Sequence, residues 1–196
     1  MPLIASRAGG SASGFGGLRT FGAAAVDTGA MFPLGMVQLA ASTSTITFSS
    51  IPATYKHLQM RFLTIAPDGY TDGYISLNSD TTATNYYMNR IFGNGSATGN
   101  TAGNNNQCFN GWGTGETGLA VAGVVDILNY SDTSNIKMFR VVTGFSNNIG
   151  ASTGNWIGQH SVVWNNTSAI TSISIRMDGA NLLTNSRATL YGIKGA

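Results

Sequence analysis

The chain has 196 residues and a formal net charge of +2, and only 9% of its residues are charged, against roughly a quarter in an average globular protein. Its few Lys and Arg residues stand singly and make no basic stripe for nucleic acid, and the single Cys108 excludes an intrachain disulfide framework or a cysteine-rich zinc site. A surface of Ser, Thr, Asn and Gly in place of charge suits a protein that lives in an assembly or outside a cell, and the length fits one domain with an appendage.

Residues 1–30 read as an extended arm. Ser6 to Gly17 is Gly- and Ser-rich without periodicity, as in a flexible segment. Phe15 and Phe21, with Arg7 and Arg19 nearby, are residues a plain linker does not need. They make the segment an assembly arm that orders against a neighbouring subunit, set against the plainer reading of a disordered tail. No basic region followed by an apolar run and a small-residue cleavage site marks a targeting signal. Asp27, Pro33, Gln38 and the glycines up to Gly35 argue against a membrane span over Ala23 to Ala41.

Residues 31–196 read as a series of strands. Leu34 to Ala40 is the first. Thr45 to Ser49 alternates and ends before Pro52, which cannot donate to a ladder. Tyr55 to Ile65 sets Leu58, Met60 and Phe62 on one face and His57, Gln59 and Arg61 on the other. Tyr74 to Asn78 makes a short strand, and Tyr86 to Phe92 makes a strand or a helical turn. Asn94 to Thr117 reads as one long low-complexity loop carrying Cys108, Phe109 and Trp112. Leu119 to Leu128 is almost continuously apolar, which predicts a central strand covered on both faces. Ile136 to Phe145 returns beside it. Trp156 to Trp164 and Ile173 to Met177 alternate strictly around Asn165-Asn166-Thr167-Ser168 and read as a hairpin. Arg187 to Lys194 is the last strand, so the chain closes its sheet with its own tail.

Some eight to ten short strands without a convincing amphipathic helix predict an all-β fold, an antiparallel β-sandwich with an extended Gly-rich N-terminal arm. The jelly roll is the favoured type, although periodicity alone does not separate it from an immunoglobulin-like sandwich. The expected core includes Phe48, Leu58, Met60, Phe62, Val125, Ile127, Val141, Ile173, Ile175 and Leu190.

Candidate chemistry is sparse. His57 and His160 sit in strands and read as packed or surface histidines, and two of them make no metal site. Asp68-Gly69-Tyr70-Thr71-Asp72-Gly73 lacks the alternating ligands and distal Glu of a calcium loop and reads as a turn. Glu116 is the only glutamate, so a paired-carboxylate glycosidase has no second acid at a defined spacing. Asp126 in its apolar strand reads as a hydrogen-bonded structural acid. No catalytic, metal or cofactor site is expected.

The segments Thr45 to Arg61, Asp126-Ile127-Leu128-Asn129-Tyr130, Trp164 to Ile173 and Leu190-Tyr191-Gly192-Ile193-Lys194 carry a resemblance. In this order they resemble a family of virion structural proteins of tailed bacteriophages, especially phages of aquatic bacteria, described as tail-fibre or structural proteins. The likeness spans residues 34 to 194, and Ser6-Arg7-Ala8-Gly9 in the arm is also similar. It implies a non-enzymatic virion component attached to head, tail or fibre through its arm. It also implies partners among other virion proteins and a homo-oligomer, the preference for a trimer coming from the family alone. The alternative is a fibre-tip domain binding host glycan through aromatic platforms at Tyr70, Tyr74, Tyr86, Tyr87 and Trp112. Neither reading involves nucleic acid or membrane insertion.

Overall fold

The computed structural model describes residues 30–65, 67, 71–104, 108–112, 120–146, 155–177 and 179–195, so the arm residues Arg7, Phe15, Arg19 and Phe21 lie outside the described residues. The compact unit spans Met31–Ala196. Its described strands are β1 (Met31–Gln38), β2 (Thr45–Phe48), β3 (His57–Ile65), β4 (Thr71–Leu77), β5 (Tyr86–Gly93), β6 (Thr98–Asn104), β7 (Cys108–Trp112), β8 (Ala120–Leu128), β9 (Lys137–Ser146), β10 (Asn155–Trp164), β11 (Ile173–Met177) and β12 (Arg187–Ile193). They form an eight-stranded sheet in the order β1-β12-β3-β8-β9-β10-β5-β6 and a four-stranded sheet in the order β2-β11-β4-β7. Every pairing within them is antiparallel.

The order of strands is that of a jelly roll. Apart from the pairs β5-β6 and β9-β10, the remaining strands alternate between sheets along the chain except at β4 and β7, which follow one another and pair within the small sheet. They place β1-β12-β3-β8 opposite β2-β11-β4-β7, the two interleaved Greek keys of that fold. The two extra pairs widen only the first sheet. The last strand is internal, held between β1 and β3, so the C-terminal segment closes the first sheet from within.

One core lies between the sheets. From the large sheet, Leu58, Met60, Phe62, Val125, Ile127 and Leu190 point inward, and from the small one Ile46, Phe48, Ile75, Leu77, Ile173 and Ile175 meet them. All ten residues expected in the core are there. The alternation that makes these strands also sorts their faces, since neighbours along a strand point to opposite sides. Several of the polar groups inside are individually tied down. Tyr86 is fully buried, its Oη accepting from Leu77 N at 3.1 Å and donating to Asp80 O at 3.0 Å. Trp164 Nε1 donates to Asp80 Oδ2 at 2.8 Å. The buried ammonium of Lys137 donates to the carbonyls of Asp132, Asn135 (2.8 Å) and Thr167 (3.0 Å), knitting a turn to the segment after β10.

Three expectations are corrected. β10 and β11 are not a hairpin, because they belong to different sheets and residues 165–172 carry the chain across. The crossing backbone bonds to other loops rather than to itself: Asn165 N donates to Asn85 O and Ile170 N to Tyr130 O, both at 2.8 Å. Asn78 Oδ1 accepts from Thr171 N at 2.8 Å and Ser172 N at 3.2 Å. The Asn94 to Thr117 stretch contains β6 and β7. β6 pairs with β5 through main-chain bonds that need no apolar pattern, and a Cβ at Gly99 would come within 2.6 Å of the Phe92 ring that covers it. Tyr86 to Phe92 is the strand expected rather than the alternative helical turn, with a 3-10 turn, Ala83–Asn85, just ahead of it. Finally, β8 is central, between β3 and β9, yet only one of its faces is covered: Leu128 and Ala122 are exposed on the other.

Candidate interaction surface

The uncovered side of β8 belongs to a larger feature. Among the described residues, every exposed large apolar side chain that lies on a strand sits on the outer face of the eight-stranded sheet. These are Met36, Tyr87, Ile91, Leu128, Met138, Val142 and Ile157, each between 43% and 71% exposed. Cross-strand register arranges them in rows. Val124, Val142, Gln159 and Ile91 make one row across β8, β9, β10 and β5, and Met138, Val163 and Tyr87 make another across β9, β10 and β5. Toward the β6 edge the face dips into a groove of about 620 Å³ lined by Ile91, Thr98, Asn100, Ile157 and Gln159, among others.

Between the two apolar rows runs a polar one. Gln59, Asp126, Arg140 and Ser161 lie side by side on β3, β8, β9 and β10. Gln59 Nε2 donates to Asp126 Oδ1 at 2.8 Å, Arg61 Nε donates to Gln59 Oε1 at 2.9 Å, and Arg140 stands 3.9 Å from Asp126. The Arg61 guanidinium also lies 5.6 Å from the centre of the Tyr191 ring. Asp126 is therefore the hydrogen-bonded structural acid expected, but it stands on the outer face rather than in the core. The outer face of the small sheet is of a different kind. There Thr45, Thr47, Ser174 and Arg176 alternate with the inward-facing apolar residues, and the Arg176 guanidinium lies 4.3 Å from the centre of the Tyr74 ring.

The proposed glycan-contact tyrosines do not come together. Tyr86 is withdrawn from that role, since its ring is in the core and both its hydrogen bonds are internal. Tyr74 is half-buried on the small sheet, whereas Tyr87 lies on the outer face of the large one. Tyr70 and the side chain of Trp112 lie outside the described residues.

One polar cluster remains inside. His160 is buried, its Nδ1 3.5 Å from Met88 Sδ, and its Nε2 has no hydrogen-bond partner among the described residues; nor have Thr143 Oγ1 and Arg90 Nε. Burial, helped by the Arg90 charge, pushes the imidazole pKa down to about 4. The ring is thus neutral near pH 7. Phe92 and Phe145 stack on Trp156 beside it, with ring centres 5.3 and 6.0 Å away. The crevice they bound has a volume of about 10 Å³, too small for any substrate. His57 is half-exposed, its Nδ1 accepting from Asn129 N at 3.1 Å. No trio of His, Cys, Asp or Glu placed to hold a metal occurs among the described residues.

Sequence reasoning missed the outer face because a strand exposed on one apolar side and a strand buried on both have the same composition. The signal was present in Met138, Val142, Ile157 and Ile91, apolar residues at the alternate positions that an ordinary solvated face gives to polar ones. Compared with protein-family models and with curated proteins, the sequence matches none of either.

Proposed function

We propose that the chain is a non-enzymatic structural protein of a tailed-bacteriophage virion, held in its particle by the outer face of the large sheet and by an N-terminal arm over residues 1–30. The observation that carries the assembly part is that, among the described residues, every exposed large apolar side chain on a strand lies on the outer face of the large sheet, in rows that flank a polar one. A soluble monomer rarely keeps a contiguous apolar patch of more than a few hundred Å² exposed, and such patches mark interaction surfaces. The low charge of the chain supports the same reading, because few ions need be stripped of water when such a surface is covered. The likeness of residues 34 to 194 to phage virion proteins supplies the setting.

The test is made on particles. Mass spectrometry of purified virions should find the chain in fixed stoichiometry. Met138→Glu, which places a charge on the outer face, and deletion of residues 1–22 should each leave the sandwich folded and lower incorporation. Absence from particles, or normal incorporation of either variant, would contradict the proposal.

A further inference from the structure

We infer that the occupant of the large sheet's outer face is a second copy of this chain, packed face to face about a two-fold axis parallel to the strands and centred over the gap between β8 and β9. This rests on the reading of that face as an assembly surface and adds what covers it.

The strand order supplies the first argument. β8 and β9 are the fourth and fifth of eight strands, so that gap is the midline of the sheet. A two-fold axis there lays one whole sheet over the other. Each β8 then faces the partner copy's β9, and β3 faces β10. With strands about 4.8 Å apart and about 3.3 Å per residue, seven residues of eight strands present roughly 800 Å², the contribution each partner makes to a standard stable interface.

Side-chain chemistry supplies the second. Asp126 and Arg140 are directly paired across the midline. The rotation sets each carboxylate opposite the guanidinium of the other copy, and the same operation lays Val124 on Val142 of the partner copy and Leu128 near its Met138. Charge meets opposite charge, and apolar rows meet apolar rows. An axis perpendicular to the strands through this polar row would instead set Asp126 against its own symmetry mate, a like-charge contact. Three-fold closure is disfavoured on the same grounds. A ring uses two different patches on each copy, and among the described residues no strand of the small sheet exposes a large apolar side chain. The trimer expectation came from resemblance alone, and this geometry replaces it with a dimer.

Sedimentation equilibrium of the full chain tests the inference. The expected mass rises with concentration to twice the 20.4 kDa chain. Met138→Glu should weaken association on the order of a hundredfold, as loss of a central contact does at both symmetric positions. Asp126→Arg, which faces the partner copy's Arg140, should also weaken it, and the double exchange D126R/R140D should restore it by returning opposite charges within and between copies. Thermal melting followed by circular dichroism establishes that each variant folds. A monomer at every concentration, a trimer, or a dimer indifferent to Met138→Glu would overturn the inference. If the chain is monomeric yet Met138→Glu still abolishes incorporation into particles, this inference fails while the assembly reading stands, with a different protein as occupant. If Met138→Glu abolishes self-association but leaves incorporation normal, the assembly reading fails and the dimer remains.

Discussion

Asn78 shows how much of the jelly roll hangs on single polar residues. It ends β4 with φ at 51°, in the left-handed region that Asn tolerates better than most residues. Its Oδ1 accepts from Thr171 N and Ser172 N and its Nδ2 donates to Ala169 O at 2.8 Å, so one amide fixes the segment that carries the chain from the large sheet to the small one. Asn78→Ala should cost about 2–4 kcal/mol, from lost hydrogen bonds and the strained backbone together, and equilibrium denaturation measures it. Ile127, 1% exposed at the middle of the core, is the apolar counterpart, and Ile127→Ala should cost about 2–5 kcal/mol by the same measurement. His160 sets an acid limit. Its folded pKa of about 4 lies below the ordinary imidazole value of 6.5, so as pH falls the unfolded chain takes up the proton first. The stability that neutral His160 contributes is complete above about pH 6.5 and is lost toward about pH 4, a difference of roughly 3 kcal/mol. Denaturation midpoints of the wild type should fall across that window, and those of a non-titrating His160→Asn variant should fall less.

At the scale of elements, the strands were legible in the sequence and their partners were not. Period-two alternation identified β2, β3, β10, β11 and β12 because each has one buried face. Alternation carries no information about which strand lies alongside. The turn cluster at Asn165 to Ser168 therefore suggested a hairpin where the chain in fact crosses between sheets. β6 and β7 were hidden for a different reason. Gly99 and Gly103 lie on the inner face of β6, and packing there is supplied by the facing aromatic Phe92 rather than by the strand's own side chains. The same device recurs in the core at Gly123 of β8, where a Cβ would fall 2.2 Å from the Phe62 ring across from it. Gly123→Ala should displace that ring and cost about 1–3 kcal/mol, an overpacking penalty. A simultaneous Phe62→Leu change should recover part of it, and double-mutant denaturation would read the coupling. Of the candidate site, Asp126 was read correctly as a hydrogen-bonded acid. The apolar outer face was missed because its signal, apolar residues at the alternate positions of β5, β9 and β10, is the same for a strand covered on both faces, and exposure is a property of the layers rather than of the strand.

For the whole molecule, the two outer faces of the jelly roll differ in what they expose. Among the described residues the small sheet's outer face carries exposed Thr47 beside half-buried Thr45, Ser174 and Arg176, while the large sheet, widened by β9-β10 and β5-β6, presents Leu128, Met138, Val142, Ile91 and Ile157. One of its edges is guarded. β1 carries exposed Pro33 and a register shift between Pro33 and Gly35, features that discourage strand addition. The proposed association therefore uses the face rather than that edge. Oxidative footprinting of the methionines in the full chain, dilute and then at concentrations or in particles where it associates, tests this most directly. Buried Met60 should stay protected throughout, and Met138, half-exposed in the single chain, should oxidise readily when dilute and become protected on association. Equal oxidation of Met138 in both states would contradict the account, because the outer face of the large sheet would then remain open to solvent in the assembled protein.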